Sequence, residues 1–170
     1  MPNISAGEQT PNQLYTVEER RRRDETSWTL VQGVLAPVQF LAFIISSFLV
    51  VVFLLTGEGY EAATISIVVK TILLYTIMIT GAMWEKVVFG RYLLAPAFFW
   101  EDMVSFVVIA LHSAYLVLLF VNSIDEQSKI YVAVVAYFAY LINAIQFLIK
   151  FRMARSSGKS QDLEKEGALA

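Results

Sequence analysis

The groups of this chain best suited to chemistry are ionisable residues inside or at the edge of long apolar runs. Glu101 and Asp102 stand side by side at the entrance to the run Ala97 to Val121, and His112, the single histidine, lies near its middle. At 100° per residue, Glu101, Ser105 and His112 fall within about 40° of one another on a helix and make one polar stripe. Two adjacent carboxyls entering an apolar environment repel each other and lose hydration, so one of them tends to keep its proton and can act as a general acid. The competing reading leaves both solvated among lipid headgroups. A neutral imidazole at His112 has one accepting nitrogen, which can ligate a metal, relay a proton or bond a neighbouring helix. Lys70 interrupts another apolar run about eight residues, roughly 12 Å, from its outer end. It either snorkels to the headgroups or faces inward as a structural or substrate contact.

Further polar groups gather at the depth of the two carboxyls. Gln32 and Gln39 are seven residues apart and share a helix face, Asn143 and Gln146 occupy the inner half of the last apolar run, and Glu85 follows Trp84 at the end of the second. With Trp100, Glu101 and Asp102 they outline a polar, aromatic-walled cavity open to one leaflet. Interhelical hydrogen bonds account for each amide alone equally well; the coincidence of depth across four segments is the stronger observation. Trp28 and Tyr92 fit an ordinary interfacial aromatic belt.

The elements that must position these groups follow from composition. The 170 residues are 57% hydrophobic and only 16% charged, with a mean hydropathy of +0.59, a balance that belongs in a bilayer. Trp28 to Thr56 carries no charge at all. The pattern predicts an all-α membrane protein: four transmembrane helices at about 28–56, 62–84, 97–121 and 130–149 in an antiparallel bundle over 28–150, with polar tails at 1–27 and 151–170. The runs lack the dyad alternation of a transmembrane barrel. All but Lys70 and Lys129 of the 13 lysines and arginines fall on one side: Arg20 to Arg23, Lys86, Arg91, and the cluster from Lys150 to Lys165. Both termini are therefore expected in the cytoplasm. The first apolar run is about twice the length of a signal h-region and lacks a cleavage site behind it, so no cleavable signal peptide is expected. An Asn3-Ile4-Ser5 sequon in a cytoplasmic tail carries no weight, and the tail from Ser156 reads as disordered.

Composition also excludes. Without cysteine the chain has no disulfide, thiolate metal site or thiol nucleophile. One histidine cannot supply a bis-histidine haem or the clusters of a membrane di-iron oxygenase. The charge distribution gives no nucleic-acid reading. Ala133, Ala136 and Ala139 are small residues at the spacing that allows close helix contact, a weak pointer to a homo-oligomer.

Longer blocks carry a resemblance. Trp28-Thr29-Leu30-Val31-Gln32-Gly33-Val34-Leu35-Ala36-Pro37, Trp84-Glu85-Lys86 to Phe89-Gly90-Arg91-Tyr92, Ala95 to Asp102, Leu111-His112-Ser113-Ala114-Tyr115 and Asn143-Ala144-Ile145-Gln146-Phe147 closely resemble the vinyl bacteriochlorophyllide hydratase family of phototrophic bacteria. The likeness spans nearly everything between Leu14 and Arg155. It implies addition of water across the C3 vinyl group of a chlorophyllide or bacteriochlorophyllide, giving a 1-hydroxyethyl side chain, by an enzyme of the bacterial inner membrane. No cofactor is expected, because hydration needs only an acid, a positioned water and a pocket for a flat macrocycle. Beside other pigment-synthesis enzymes, the partners are the pigment and the bilayer. On these expectations Glu101 or Asp102 protonates the vinyl carbon, Glu85 deprotonates the water, and His112 ligates the substrate magnesium. Arg91 or Lys86 pairs with the propionate, and Trp84, Trp100, Gln32, Gln39, Asn143 and Gln146 line the site. The competing classes are a non-catalytic pigment-binding or assembly protein and a small proton-coupled transporter. A four-helix exporter would be expected to carry an acid deep in the first span, and this chain has none there.

Overall fold

A computed structural model describes residues 14–169 of the chain, with side chains described over 14–153; the Asn3 sequon, Pro2 and Pro11 lie outside that range. Five helices follow one another: α1 (Val17–Glu25), α2 (Ser27–Thr56), α3 (Tyr60–Phe89), α4 (Phe99–Leu118) and α5 (Glu126–Leu169). There is no strand among the described residues. The last four are long and apolar enough to cross a membrane, and large apolar side chains face outward along them, Leu55 81% and Phe138 66% exposed among them. Such a surface is stable only against lipid. This is a four-span, all-helical membrane protein.

Local chemistry sets the helix ends. Thr16 caps α1 in a capping box: its hydroxyl accepts from the Glu19 amide at 3.2 Å, and the Glu19 carboxylate accepts from the Thr16 amide at 2.8 Å. Gly57 (φ +75°) ends α2 and Gly59 (φ +84°) precedes α3, so three residues turn the chain back. Only glycine adopts this backbone without strain. Asp125 caps α5, its two oxygens accepting from the Ser128 amide at 2.9 Å and the Ser128 hydroxyl at 2.7 Å.

The observed bounds differ from the apolar runs where polar residues continue a helix past the lipid. α3 runs beyond Trp84 through Glu85 and Lys86 to the left-handed cap at Gly90 (φ +81°). α5 starts at its aspartate cap and continues through the segment from Ser156, for which the sequence predicts disorder. Apolar length measures lipid contact; capping chemistry ends the helix.

α2 packs closely on α3, and α4 on α5, while the two hairpins meet each other less closely. Polar contacts stitch that seam: Tyr75 Oη with Ser113 Oγ at 2.6 Å, Tyr115 Oη donating to Thr64 Oγ1 at 3.3 Å, and a short hydrogen bond between Ser46 and Tyr137. Toward the Gly57 end the core is Val50, Phe53, Ala63, Ile67, Tyr115, Ile130 and Ala133. At the opposite end, where the carboxyls lie, it is aromatic.

Candidate functional site

The α3–α4 connection is built around two carboxyls. Glu85 near the end of α3 and Asp102 in the first turn of α4 are 5% and 3% exposed and lie close enough to interact. Carboxyls buried this close repel each other when both are ionised. Each also takes a backbone amide of the loop: Leu94 N–H donates to Asp102 Oδ2 at 2.7 Å, and Ala95 N–H to Glu85 Oε2 at 3.1 Å. Leu94 itself has φ +59°, a left-handed backbone that costs a leucine roughly 1–2 kcal/mol. The carboxyl pair therefore fixes the loop, and the loop fixes the pair.

Glu101 is also buried but stands in different company. Lys150 Nζ on α5 lies 3.4 Å from Glu101 Oε1, whereas Oε2 is buried without a protein partner. Its backbone carbonyl accepts from Ser105 Oγ at 2.8 Å and from Asn143 Nδ2 at 2.9 Å, and Ser105 also donates to Asn143 Oδ1 at 3.2 Å. Gln146, on α5 between Asn143 and Lys150, has its own Oε1 buried and unpartnered. One end of the bundle thus holds a buried carboxyl pair and, next to it in sequence, a carboxyl group paired with Lys150 that has a free acceptor oxygen.

The polar stripe of α4 divides. His112 lies eleven residues beyond Glu101, about 16 Å along the axis. It is fully buried and apart from the carboxyls. Its Nδ1 donates to the Val108 carbonyl at 2.8 Å, so Nε2 is the accepting nitrogen, and Lys70 Nζ sits 2.9 Å from it. The nitrogen expected to ligate a metal is thereby occupied. Lys70 faces inward, fully buried, and does not reach toward the headgroups. Among the described residues no group of three His, Asp or Glu could hold a metal ion.

The other expected site residues separate as well. Gln32 donates to Thr80 Oγ1 at 2.8 Å, a helix-to-helix bond; Gln39 donates to the Lys70 carbonyl at 3.5 Å and belongs with the deeper pair. Trp84 is buried, its indole N–H donating to Thr29 Oγ1 at 3.0 Å, while Trp100 is 71% exposed and turns its ring outward. Lys86 in the last turn of α3 and Arg91 on the loop after it are exposed, donating to the carbonyls of Gly90 at 2.9 Å and Leu94 at 3.5 Å respectively.

Tyr15 is a partner that sequence reasoning missed. It stacks on Phe89 at 5.7 Å and approaches Phe98 at 6.4 Å, with the Arg23 guanidinium 4.9 Å over its ring. Burial pushes its phenol up to about 12, against the opposing pull of Arg23. Together with Trp84, Val88 and Phe98, and with Phe147 packed alongside, it forms an aromatic cluster beside the carboxyls. The segment before α1 gave no apolar period to signal this; an isolated tyrosine among polar residues was the only cue. Lys150, the partner of Glu101, lies 49 positions away from it in the chain and had no local signature.

Comparison with known proteins bears directly on this arrangement. The model of the 2-vinyl bacteriochlorophyllide hydratase (BCHF) family matches residues 15–153, which contain every group described above. The chain belongs to this family. A 2-vinyl bacteriochlorophyllide hydratase of Rhodobacter capsulatus is 63% identical over 164 residues, covering 95% of this chain and 94% of that protein. The protein of the same description from Cereibacter sphaeroides is 65% identical over 142 residues, 84% of this chain and 88% of its own. No solved structure matches. The carboxyl end of the bundle, with Glu85, Asp102 and Glu101, lies wholly within the matched residues.

Proposed function

We infer that this protein is a membrane hydratase that adds water across the ring vinyl group of a bacteriochlorophyllide, giving the 1-hydroxyethyl substituent. The observation that carries the reading, beside the family, is the trio Glu85, Asp102 and Glu101: buried carboxyls at one end of the bundle, two beside each other and one beside Lys150.

The chemistry divides between them. The proton shared by Glu85 and Asp102 adds to the terminal vinyl carbon; the π electrons form the new C–H bond and leave a cation at the carbon attached to the macrocycle, whose conjugation spreads the charge. The acid is assigned to the pair, because two carboxyls buried this close disfavour double ionisation. Water then attacks that carbon. Glu101, paired with Lys150, has Oε2 free to accept a hydrogen from the water and takes its proton as the C–O bond forms. Transfer of that proton from Glu101 to the neighbouring pair restores the starting state, so one H and one OH are added and nothing else is consumed. Gln146 Oε1 supports the same water as a second acceptor. This reverses the expected division of labour, in which Glu85 was the base, because Glu85 is engaged with Asp102 and with the Ala95 amide.

Lys86 and Arg91, exposed beside the site, suit the pigment's propionate at the membrane surface. They sit on the lysine- and arginine-rich side, the one the positive-inside rule favours for the cytoplasm. His112 is left out of magnesium ligation, since its Nε2 accepts from Lys70.

The test is to incubate detergent-purified protein with the vinyl bacteriochlorophyllide in oxygen-18 water, separate the pigments and weigh them. Gain of one labelled water, dependent on protein, is the expected result. Pigment that binds and returns unchanged would overturn the reading in favour of a carrier or assembly protein.

A further inference from the structure

The hydration steps place a base at Glu101, whose carboxyl works only if it is held at a fixed position. The face of α5 opposite it carries Asn143, Gln146 and Lys150 at intervals of three and four, the spacing that stacks residues on one side of a helix. Two of the three touch Glu101. Asn143 Nδ2 donates to its backbone carbonyl at 2.9 Å, and Lys150 Nζ lies 3.4 Å from Oε1 of its side chain. Asn143 is 7% exposed, and its other end is also engaged, Oδ1 accepting from Ser105 Oγ at 3.2 Å. Both ends of one amide are therefore bonded to successive turns of α4.

α4 does not need this bond for its own sake. Glu101 lies in its first turn, and helix carbonyls lack an internal partner only in the last turn, so this carbonyl is already met within the ladder. The Asn143 amide uses its second lone pair. What holds the contact is the cost on the other side: an amide left unpaired in an apolar interior is expensive, so α4 and α5 stay at the offset where both of its ends are met. Further along the two helices the contact is less demanding. Val108 and Tyr140 belong to one apolar cluster, and Tyr115, Ile130 and Ala133 to another; apolar burial is non-directional and tolerates a small slide. A slip of one residue, about 1.5 Å along the axis and about 100° around it, would break both ends of the amide contact and carry Glu101 away from Lys150. Because the atom that Asn143 anchors is in the backbone, the carboxyl itself is not consumed, and Oε2 stays without a protein partner.

We propose that Asn143 is a positioning residue for the hydration: by clamping the Glu101 carbonyl and the Ser105 hydroxyl it sets the register of α4 on α5 and so aims the Glu101 carboxyl, acting through that group and not by contact with the pigment. This replaces the place in the pigment-lining wall that its depth in the sequence suggests. It rests on the reading of Glu101 as the base, and its test scores that reading separately.

The experiment measures kcat and KM for the vinyl bacteriochlorophyllide by product mass in oxygen-18 water, on the full-length purified protein and on Asn143→Leu, Ser105→Ala and Glu101→Gln, with each of the first two also combined with the third. Leucine is close to asparagine in size and has no polar end. Asn143→Leu should lower kcat about 10–100-fold, the effect of moving a reacting group by about an ångström, and leave KM unchanged. In the Glu101→Gln background the same substitution should cost nothing further, because a residue that acts only through Glu101 has no effect once the base is gone. Loss by the same factor in both backgrounds would overturn the proposal, since that is the mark of a residue that merely supports the bundle. A raised KM at unchanged kcat would overturn it too and return Asn143 to the wall of the site. If Asn143→Leu does not fold, Ser105→Ala decides by the same comparison: freeing one end of the amide should lower kcat about two- to tenfold, and only in protein that retains Glu101. Full turnover in Glu101→Gln would remove the base on which the proposal rests, and an unmodified protein that leaves the pigment unhydrated would remove the hydratase reading itself.

Discussion

Asp102→Asn separates the acid role of the carboxyl pair from its structural role. In the isosteric variant the amide oxygen can still accept the Leu94 N–H, now 2.7 Å from Oδ2, and the amide nitrogen can donate to Glu85. Every contact of the clamp survives, so the expected change in stability is below about 0.5 kcal/mol, the range of substitutions that disturb no specific feature. The variant nevertheless cannot hold a transferable proton between the two side chains. Loss of a positioned general acid lowers turnover by about 10²–10⁴-fold. Asp102→Ala supplies the contrast: it removes the acceptor of a partly buried amide and leaves Glu85 without its partner, costing about 1–3 kcal/mol of stability as well as activity. The assay is product mass per unit time in labelled water, with thermal unfolding of the same detergent preparation followed by circular dichroism. Full turnover in Asp102→Asn would refute the shared-proton mechanism outright. Equal loss of stability in both variants would refute the clamp.

Four further outcomes follow from the same structure. Glu101→Gln should lower turnover by about 10²–10⁴-fold with little change in unfolding, because the ion pair it gives up with a partly exposed Lys150 is worth about 1 kcal/mol or less; unaltered kinetics would remove Glu101 as the base. Gly57→Val should destabilise the protein by roughly 1–2 kcal/mol, since its φ of +75° suits glycine, whereas Gly33→Ala, with open space where the methyl would go, should be neutral; thermal unfolding of the two variants checks this. Ser128's hydroxyl and amide hold the Asp125 carboxyl below its usual range. Its cap therefore contributes fully above the unfolded-state value and is lost as pH falls through the folded one, and Asp125→Asn should flatten the acid limb of the stability curve. Prolonged treatment with EDTA should leave hydration of intact pigment unchanged, and a loss restored by added divalent metal would show that the enzyme holds a metal of its own.

Much of the architecture was legible because a bilayer imposes long, uniform apolar runs, and Trp28 to Thr56 without a charge admits few other interpretations. The ends of the helices were less so. Trp84 closes an apolar run, yet α3 continues to Gly90, because a helix needs no lipid once capping is supplied. The shared face of Glu101, Ser105 and His112 on α4 followed from helical spacing, while the burial of these groups and of Asp102 beside them did not. Nor did their partners: Glu85 meets Asp102, Lys70 meets His112 and Lys150 meets Glu101 across separate helices, and no local pattern encodes which residues of two helices meet. For Trp100 the amino-acid type pointed to the site while the angle around α4 turned it outward. Tyr15 shows the reverse, a residue in a polar segment drawn into the core by three rings it could not have anticipated in sequence.

The three-residue turn from Gly57 to Gly59 also bears on how the chain enters its membrane. A connection that short cannot cross the bilayer ahead of its flanking helices, so α2 and α3 insert as one unit, each shielding the other's backbone and the polar Ser46–Ser66 contact at 2.7 Å from lipid during passage. Lys70, which would be costly to move through hydrocarbon alone, travels with Gln39 already at hand. Its imidazole partner is made later, on α4. The emerging chain therefore carries the amine into the bilayer without its imidazole partner, and the Lys70–His112 bond forms only when the second hairpin docks, making completion of that bond a molecular record of assembly.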